Sequence, residues 1–158
     1  MYGGAAYRFR KLMKTPYFTF LFSFSCSAGA VMLGGSTVLC DGEAWMGSKP
    51  ECLVAPHPPS LSVIIEGVEV ENPAVAVGQE VTLACQSLGG NPAPTVAFYL
   101  DGEQVGEEEP VSGAFSFRAG QQHDGVRMSC VARNTVQEHP VYSLYQVLAI
   151  KCEYTLAM

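Results

Sequence analysis

The chain has 158 residues, of which 48% are hydrophobic and only 15% are charged, so it can form one domain or two small ones but not a large multidomain enzyme. Fifteen acidic residues outnumber nine basic ones and give a formal net charge of −6. This balance excludes the basic stripe that sequence-independent nucleic-acid binding requires. Residues 1–56 carry five basic and three acidic side chains, whereas residues 57–158 carry four and twelve. We therefore expect two segments of different character.

The six cysteines indicate an oxidising compartment, and we expect an extracellular protein, either secreted or part of a cell-surface ectodomain. No cysteine or histidine has the spacing of a zinc site, because His57, His123 and His139 all lie in predicted loops. The run Glu107–Glu109 lacks the alternating oxygens of a calcium loop and is expected to be solvated. The sequence predicts no enzyme activity, no cofactor and no metal.

Residues 1–16 show no regular periodicity, and we expect them to be unstructured or foreign to the natural protein. An uncharged stretch follows, in which phenylalanines at alternate positions indicate a β-strand. Three interpretations stay open. The stretch is a signal peptide cleaved near Ala28-Gly29-Ala30, a signal anchor, or the first strand of a cysteine-rich module.

Residues 22–52 read FSFSCSAGAVMLGGSTVLCDGEAWMGSKPEC, with Gly-rich turns between short strands. This string resembles the second half of a sushi module, also called a complement control protein repeat. The resemblance makes residues 17–53 a partial module, pairs Cys26 with Cys52, leaves Cys40 unpaired and places Trp45 in the core. Because no cysteine precedes Cys26 in this sequence, we expect the chain to be a fragment or a mis-joined gene model.

Residues 54–60 carry three prolines and no charge, which is typical of a linker. From residue 61 to 151, short β-rich runs alternate with Gly, Pro, Asn and Asp turns, which predicts a two-sheet β-sandwich. The predicted strands are 61–65, 74–77, 80–85, 95–100, 114–118, 126–132 and 142–150. Alternating apolar residues give the inner faces, and a Cys85–Cys130 bridge would close a loop worth about 4 kcal/mol by chain entropy.

The segments VGQEVTLAC, NPAPTVAFYLDGEQV and HDGVRMSCVARN resemble strands B, C and F of an immunoglobulin-like domain. The pattern is most similar to the I-set or C2-type domains of cell-adhesion proteins of the nephrin, Kirre and nectin kind. Two core positions depart from that family. Phe98 replaces the tryptophan of strand C, and Met128 replaces the tyrosine two residues before the second cysteine.

The resemblance implies an all-β, non-catalytic module for extracellular protein–protein recognition or adhesion, with other surface proteins as partners and homophilic binding as one form. The expected binding face is the sheet of strands C, F and G, because Tyr and Arg are frequent interface anchors. Its candidate residues are Tyr99, Gln104, Arg127, Arg133, Tyr142 and Tyr145. Inward packing of Tyr142 and Tyr145 stays an alternative, because their register is not fixed by the sequence.

The competing interpretation is a structural spacer in a multidomain ectodomain, with no binding face of its own. Cys152 has no partner in either module, and residues 152–158 are expected to begin a truncated following segment. Three fates stay open for this thiol: a disulfide within a following domain, a bond to another chain, or a bond to Cys40. No nucleic acid and no membrane segment are expected within the fragment.

Overall fold

The computed structural model describes residues 6–13 and 18–152. It divides the chain into two compact units. The first contains the described residues up to Ala55 together with Gly89–Pro92, and the second contains Pro56–Leu88 and the described residues from Ala93 onward. The division falls inside the predicted linker. The prediction of an all-β protein is confirmed, since the only helical element in the described ranges is a short 3-10 turn at Gln121–His123.

The described residues of the first unit form six strands. These are β1 (Ala6–Met13), β2 (Phe18–Ser25), β3 (Val31–Leu33), β4 (Thr37–Cys40), β5 (Trp45–Met46) and β6 (Glu51–Leu53). One sheet has the order β1-β2-β4-β5, and β3 pairs separately with β6. In the turn between β4 and β5, the backbone N–H groups of Glu43 and Ala44 donate to Asp41 Oδ1, which lowers the pKa of that carboxyl below its usual value.

Residues 1–16 are expected to be unstructured or foreign to the natural protein, and the first of these alternatives is wrong for Ala6–Met13. This segment pairs antiparallel with Phe18–Ser25 over its whole length, from Ala6 opposite Ser25 to Met13 opposite Phe18. The alternating β2 strand offers a row of backbone hydrogen-bonding groups that a neighbouring segment can satisfy whatever its own side-chain pattern. The remaining residues of 1–16, residue 17 and residues 153–158 lie outside the described ranges.

Few side chains are buried in the part of the first unit from residue 21 to residue 55. Val38, Pro50 and Cys52 are buried, and Cys52 is bonded to Cys26. The expectation that Trp45 is a core residue is wrong, because its side chain is 50% exposed. Trp45 lies on the two-residue edge strand β5, where it packs edge-on against Phe22 with ring centroids 4.9 Å apart. An edge strand this short presents its side chains to solvent on more than one side.

The second unit is the sandwich. Its strands are β7 (Ser60–Ile65), β8 (Val68–Val70), β9 (Ala74–Ala76), β10 (Glu80–Gln86), β11 (Thr95–Leu100), β12 (Glu103–Pro110), β13 (Ser112–Arg118), β14 (Arg127–Arg133), β15 (Val141–Tyr142), β16 (Gln146–Val147) and β17 (Ala149–Lys151). One sheet has the order β13-β10-β7-β8, and the other has the order β12-β11-β14-β15 with β16 also on β14. The last strand, β17, pairs in parallel with β9.

The core lies between the two sheets and is built from alternating residues of each. The Cys85–Cys130 disulfide joins β10 to β14 across it, and both cysteines are almost fully buried. The structure places Phe98 (1% exposed) and Met128 (0% exposed) in this core. The cluster of buried residues comprises Val63, Val75, Val81, Leu83, Cys85, Val96, Phe98, Ala119, Val126, Met128, Cys130, Ala132 and Leu148.

Three parts of the sandwich differ from the predicted strands. Val68–Val70 forms β8, which pairs with β7, where no strand is predicted. The acidic segment expected to be a loop forms β12, because the Asp101-Gly102 turn folds it back on β11 as an edge strand with its glutamates in solvent. The predicted final strand 142–150 is divided into β15, β16 and β17. Hydrogen bonds between Ser143 and the backbone of Cys130 cause the first of these breaks.

We predict that Leu83→Ala destabilises the second unit by about 3 kcal/mol, because it removes a fully buried side chain and leaves a cavity in the core cluster. Urea unfolding followed by circular dichroism measures the change. Val77→Ala is the matched control, since Val77 is 57% exposed and its truncation leaves no cavity. Equal unfolding midpoints for the two variants would contradict this description of the core.

Candidate functional site

The sheet of β12, β11, β14, β15 and β16 has one side in the core and the other toward solvent. Alternation along β14 places Met128 and Cys130 in the core and Arg127 and Ser129 on the opposite side. We call this opposite side the outer face. The six residues predicted from the sequence lie on it or at its margin: Tyr99, Gln104, Arg127, Arg133, Tyr142 and Tyr145.

The backbone of Arg127 is fixed by a hairpin turn. Asp101 and Gly102 join β11 to β12, and both have positive φ (49° and 83°), as a type I′ turn requires. The Asp101 N–H donates to the Arg127 carbonyl oxygen (2.9 Å), and the Arg127 N–H donates to Asp101 Oδ1 (2.8 Å). This reciprocal pair holds the first residue of β14 against the turn, so the Arg127 side chain extends from a well-defined position.

The guanidinium of Arg127 lies over an aromatic ring. Its Cζ atom is 5.0 Å from the centroid of the Tyr145 ring, and Tyr145 is 57% exposed. At an exposed site such a cation–π contact is worth about 0.5–1 kcal/mol. Among the described residues, no carboxylate forms an ion pair with Arg127. The contact with Tyr145 therefore orients the cation without neutralising it.

A break in the last strand exposes a leucine. The Ser143 N–H donates to the Cys130 carbonyl oxygen (2.8 Å), and the Cys130 N–H donates to Ser143 Oγ (3.0 Å). Ser143 Oγ also donates to the Leu144 carbonyl oxygen (2.9 Å). Since Ser143 alone satisfies both backbone groups of Cys130, the chain leaves the ladder before pairing resumes at β16, and the Leu144 side chain is 91% exposed.

A concavity of about 540 Å³ lies between the hairpin turn, β14 and this break. We call it the Arg127 cleft. It is lined by Asp101, Gly102, Arg127, Ser129, Tyr142, Ser143 and Tyr145. Every lining residue except Gly102 has a polar side-chain group, so the cleft suits a ligand that forms directed hydrogen bonds.

Beside the cleft, two small apolar residues and two tyrosines form the middle of the outer face. Ala97 and Val131 pair across β11 and β14 and are fully buried, although alternation places them outside the core. The rings of Tyr99 and Tyr142 contact each other edge-on at 6.3 Å, and the Tyr99 hydroxyl donates to Gln104 Oε1 (3.3 Å). Tyr142 is 57% exposed and leaves much of its ring available for contact.

At the far end of the outer face, Arg133 is already neutralised. Its Nη2 lies 2.8 Å from Glu108 Oε1, and the other Glu108 oxygen accepts a hydrogen bond from Thr95 Oγ1. Both charged side chains are more than a third exposed, so the ion pair adds little stability. It does link β14 to the edge strand β12 and leaves Arg133 less available than Arg127 for an external anion.

Several residues of the site were not identified from the sequence. The Asp101-Gly102 turn was recognised as a break between strands, but its contact with Arg127 depends on strand pairing that the sequence does not show. Leu144 and Ser143 lie in a run that alternates as a strand does, and no local signal marks the break. The structure contains the disulfides Cys26–Cys52 and Cys85–Cys130, and it leaves Cys40 half-buried and Cys152 exposed, both as free thiols.

The immunoglobulin domain family model matches residues 63–147, more than half of the chain. The chain belongs to the immunoglobulin domain family. The second unit is therefore an immunoglobulin domain in which β10, β11 and β14 are strands B, C and F, and the corresponding prediction is confirmed. A comparison with curated proteins gives no match.

Solved structures also resemble the chain, and two of them cover more than nine-tenths of it. One is Rst D1-D2, with 13% identity and a TM-score of 0.51, covering 92% of this chain and 99% of that one. The other is the full Ig1–Ig3 ectodomain of mouse nectin-like molecule 4, with 18% identity and a TM-score of 0.54, covering 94% of this chain and 64% of that one. At these identities the likeness shows the fold. Within the described residues, no helix is both long and apolar enough to cross a membrane.

We predict that Ser143→Ala lowers the stability of the immunoglobulin domain by about 1–3 kcal/mol, because the partly buried Cys130 N–H loses its acceptor. Urea unfolding of the purified chain measures the change. Ser112→Ala is the control, since Ser112 is exposed on the other sheet. A loss no larger than that of the control would show that Ser143 does not hold the break in the strand.

Proposed function

We propose that the chain is a non-catalytic module for extracellular protein–protein recognition or adhesion, and that its immunoglobulin domain binds through the outer face. The observation that carries the proposal is the grouping of Tyr142 and Tyr145, both more than half exposed, in one cleft with a cation that has no acidic partner among the described residues. Tyrosine and arginine are among the residues most enriched in binding hot spots.

The chemistry of the Arg127 cleft supports a protein partner. Tyr, Ser and Gly are the residues that antibody binding loops use most, because tyrosine offers a large contact area at low conformational cost and serine adapts its hydrogen bonds. The cleft contains two tyrosines, two serines and a glycine around Arg127. Leu144 adds an apolar side chain that a partner can bury, while the ring of Tyr99 extends the surface toward β12.

The rigidity of the surface also supports recognition. The residues of the outer face are carried by strands whose opposite sides form the core, and Arg127 and Ser143 are fixed by backbone hydrogen bonds. Little ordering entropy is then lost on docking. We expect a modest patch of this kind to give weak to moderate affinity, as interfaces at the low end of the size range commonly do.

The family and the disulfides support an extracellular location, because bonds such as Cys85–Cys130 persist in oxidising compartments. The nephrin, Kirre and nectin kind stays part of the proposal, with surface proteins, including a second copy of the chain, as partners. One of the similar structures is itself the ectodomain of a nectin-like molecule. The rival function, a structural spacer, requires that the exposed outer face binds nothing.

For the first unit, the sushi resemblance stays a prediction. The Cys26–Cys52 bond agrees with the pairing that the resemblance implies, and Cys40 is a free thiol. The exposure of Trp45 counts against it, because a sushi module places this tryptophan in its core. We make no functional assignment for this unit.

We predict that Leu144→Ser and Tyr142→Ser each weaken binding at least about tenfold, because each removes exposed apolar surface in the Arg127 cleft or next to it in the chain. The secreted full chain is tested against itself by sedimentation and against a panel of purified ectodomains by biolayer interferometry. Val77→Ser and Val68→Ser are matched controls, since both valines are exposed but lie away from the outer face.

A complex that is weakened by the Leu144 and Tyr142 variants and unchanged in the controls supports the proposal. If no binding is found in either format, the spacer function is the better description. If binding is found but the two valine controls reduce it as much as the outer-face variants do, the face has been assigned wrongly.

A further inference from the structure

We propose that the Arg127 cleft is a carboxylate-binding site that takes an acidic side chain of the docking protein. The inference rests on the proposed function and adds the chemistry of the partner. It concerns one end of the outer face, where the Arg127 side chain, the Asp101 turn and the Tyr142–Tyr145 segment surround a single concavity.

The guanidinium of Arg127 is available to an external anion. Its Cζ lies 5.0 Å from the Tyr145 ring centroid, and no carboxylate of the described residues pairs with the N–H donors at the edge of the guanidinium plane. A carboxylate is the group that matches this edge, since it can accept two parallel hydrogen bonds. Arg133 offers the contrast on the same strand, because its guanidinium is already occupied by Glu108 at 2.8 Å.

Several hydroxyl groups surround Arg127 in the cleft. Within the described part of the chain, the hydroxyls of Ser129, Tyr142 and Tyr145 make no hydrogen bond to another protein group, although all three residues line the cleft. Each can donate to an anion. A carboxylate held by Arg127 has two oxygens with about four acceptor positions, so the cleft offers donors beyond the arginine itself.

Asp101 is the acidic residue among those that line the cleft. Its Oδ1 accepts a hydrogen bond from the Arg127 backbone N–H at 2.8 Å, so this carboxylate oxygen is already hydrogen-bonded at the turn. Its charge nevertheless opposes an incoming anion at short range. The proposal therefore predicts the direction of a change in affinity. Removing the Asp101 charge while keeping its acceptor oxygen must strengthen carboxylate binding. A cationic ligand, held by Asp101 and the tyrosine rings, would instead bind more weakly once the Asp101 charge is removed.

The net negative charge of the immunoglobulin domain disfavours nonspecific binding of acidic molecules. Residues 57–158 carry twelve acidic and four basic side chains, so long-range electrostatics repel anions from the immunoglobulin domain. Saturable binding of a small carboxylate to this domain consequently requires a local site.

The test is a titration of the full, isotope-labelled chain followed by nuclear magnetic resonance. The probe is glutamate capped at both termini, whose only ionised group is the side-chain carboxylate, with capped glutamine and capped lysine as controls. We predict saturable shifts of the Arg127 side-chain N–H and of the Ser129 and Tyr142 amides with millimolar affinity. The capped glutamine and capped lysine probes are expected to give no saturable shift at these positions.

Three variants make the prediction specific. Arg127→Gln reduces affinity for capped glutamate about tenfold or more, since it removes the charge-assisted hydrogen bonds. Arg118→Gln changes the net charge equally but lies on the other sheet, where its Nη1 donates to the Gly78 carbonyl oxygen, and is expected to leave affinity unchanged. Asp101→Asn keeps the Oδ1 acceptor and raises affinity by roughly two- to fivefold.

The proposal is overturned if the shifts do not saturate, if Arg127→Gln and Arg118→Gln behave alike, or if capped lysine binds and Asp101→Asn weakens it. A glucuronate arm distinguishes the source of the carboxylate, since stronger binding of glucuronate than of capped glutamate would assign the cleft to an acidic saccharide and contradict a protein side chain. None of these results would bear on protein binding that depends on Leu144. The proposed function is therefore tested separately, by the binding experiments with the Leu144 and Tyr142 variants.

Discussion

The Cys85–Cys130 disulfide is the constraint on which the immunoglobulin domain depends. It joins β10 to β14 through the centre of the core, and both sulfur atoms are shielded from solvent. The pairing of Cys130 with Phe98 then fixes the register of β11 against β14. Because side chains alternate along a strand, that one register decides which residues of both strands face solvent.

The core and the proposed binding surface are consequently two sides of the same strands. With Met128 and Cys130 held inside, Arg127 and Ser129 must lie outside, and a shift of one residue would bury the arginine. The substitution of Met128 for the family tyrosine removes a hydroxyl from this region but keeps the position fully buried. Substitutions on the outer side can therefore change the proposed binding surface while the residues on the inner side preserve the fold.

The shape of the surface depends on one interruption of regular pairing. The Ser143 hydroxyl replaces the backbone carbonyl that a continuous strand would offer to the Cys130 N–H, and the chain that follows carries Leu144 and Tyr145 out of the ladder. The opposite wall is the Asp101-Gly102 turn, whose positive φ values suit the short side chain and the glycine found there. Between these two local features the Arg127 side chain has room for a ligand.

Sequence reasoning could predict the parts that depend on strong local patterns. Alternation around two distant cysteines gave the sandwich and its core, and the same alternation placed Arg127 and Tyr99 on the outer face. It could not predict β12, whose glutamates form a strand only because β11 offers an edge, nor the break at Ser143, which depends on a side chain replacing a backbone partner. The exposure of Trp45 could also not be predicted from the sequence, because it follows from the position of β5 at a sheet edge.

The most direct test of the central claim is hydrogen–deuterium exchange of the full chain, free and saturated with a bound ectodomain or with itself at high concentration. The account predicts slower exchange in the segments 101–104 and 142–147 of the outer face on binding, with no change along β10 and β13 of the other sheet. Protection confined to β10 and β13, or to the first unit, would contradict recognition through the outer face.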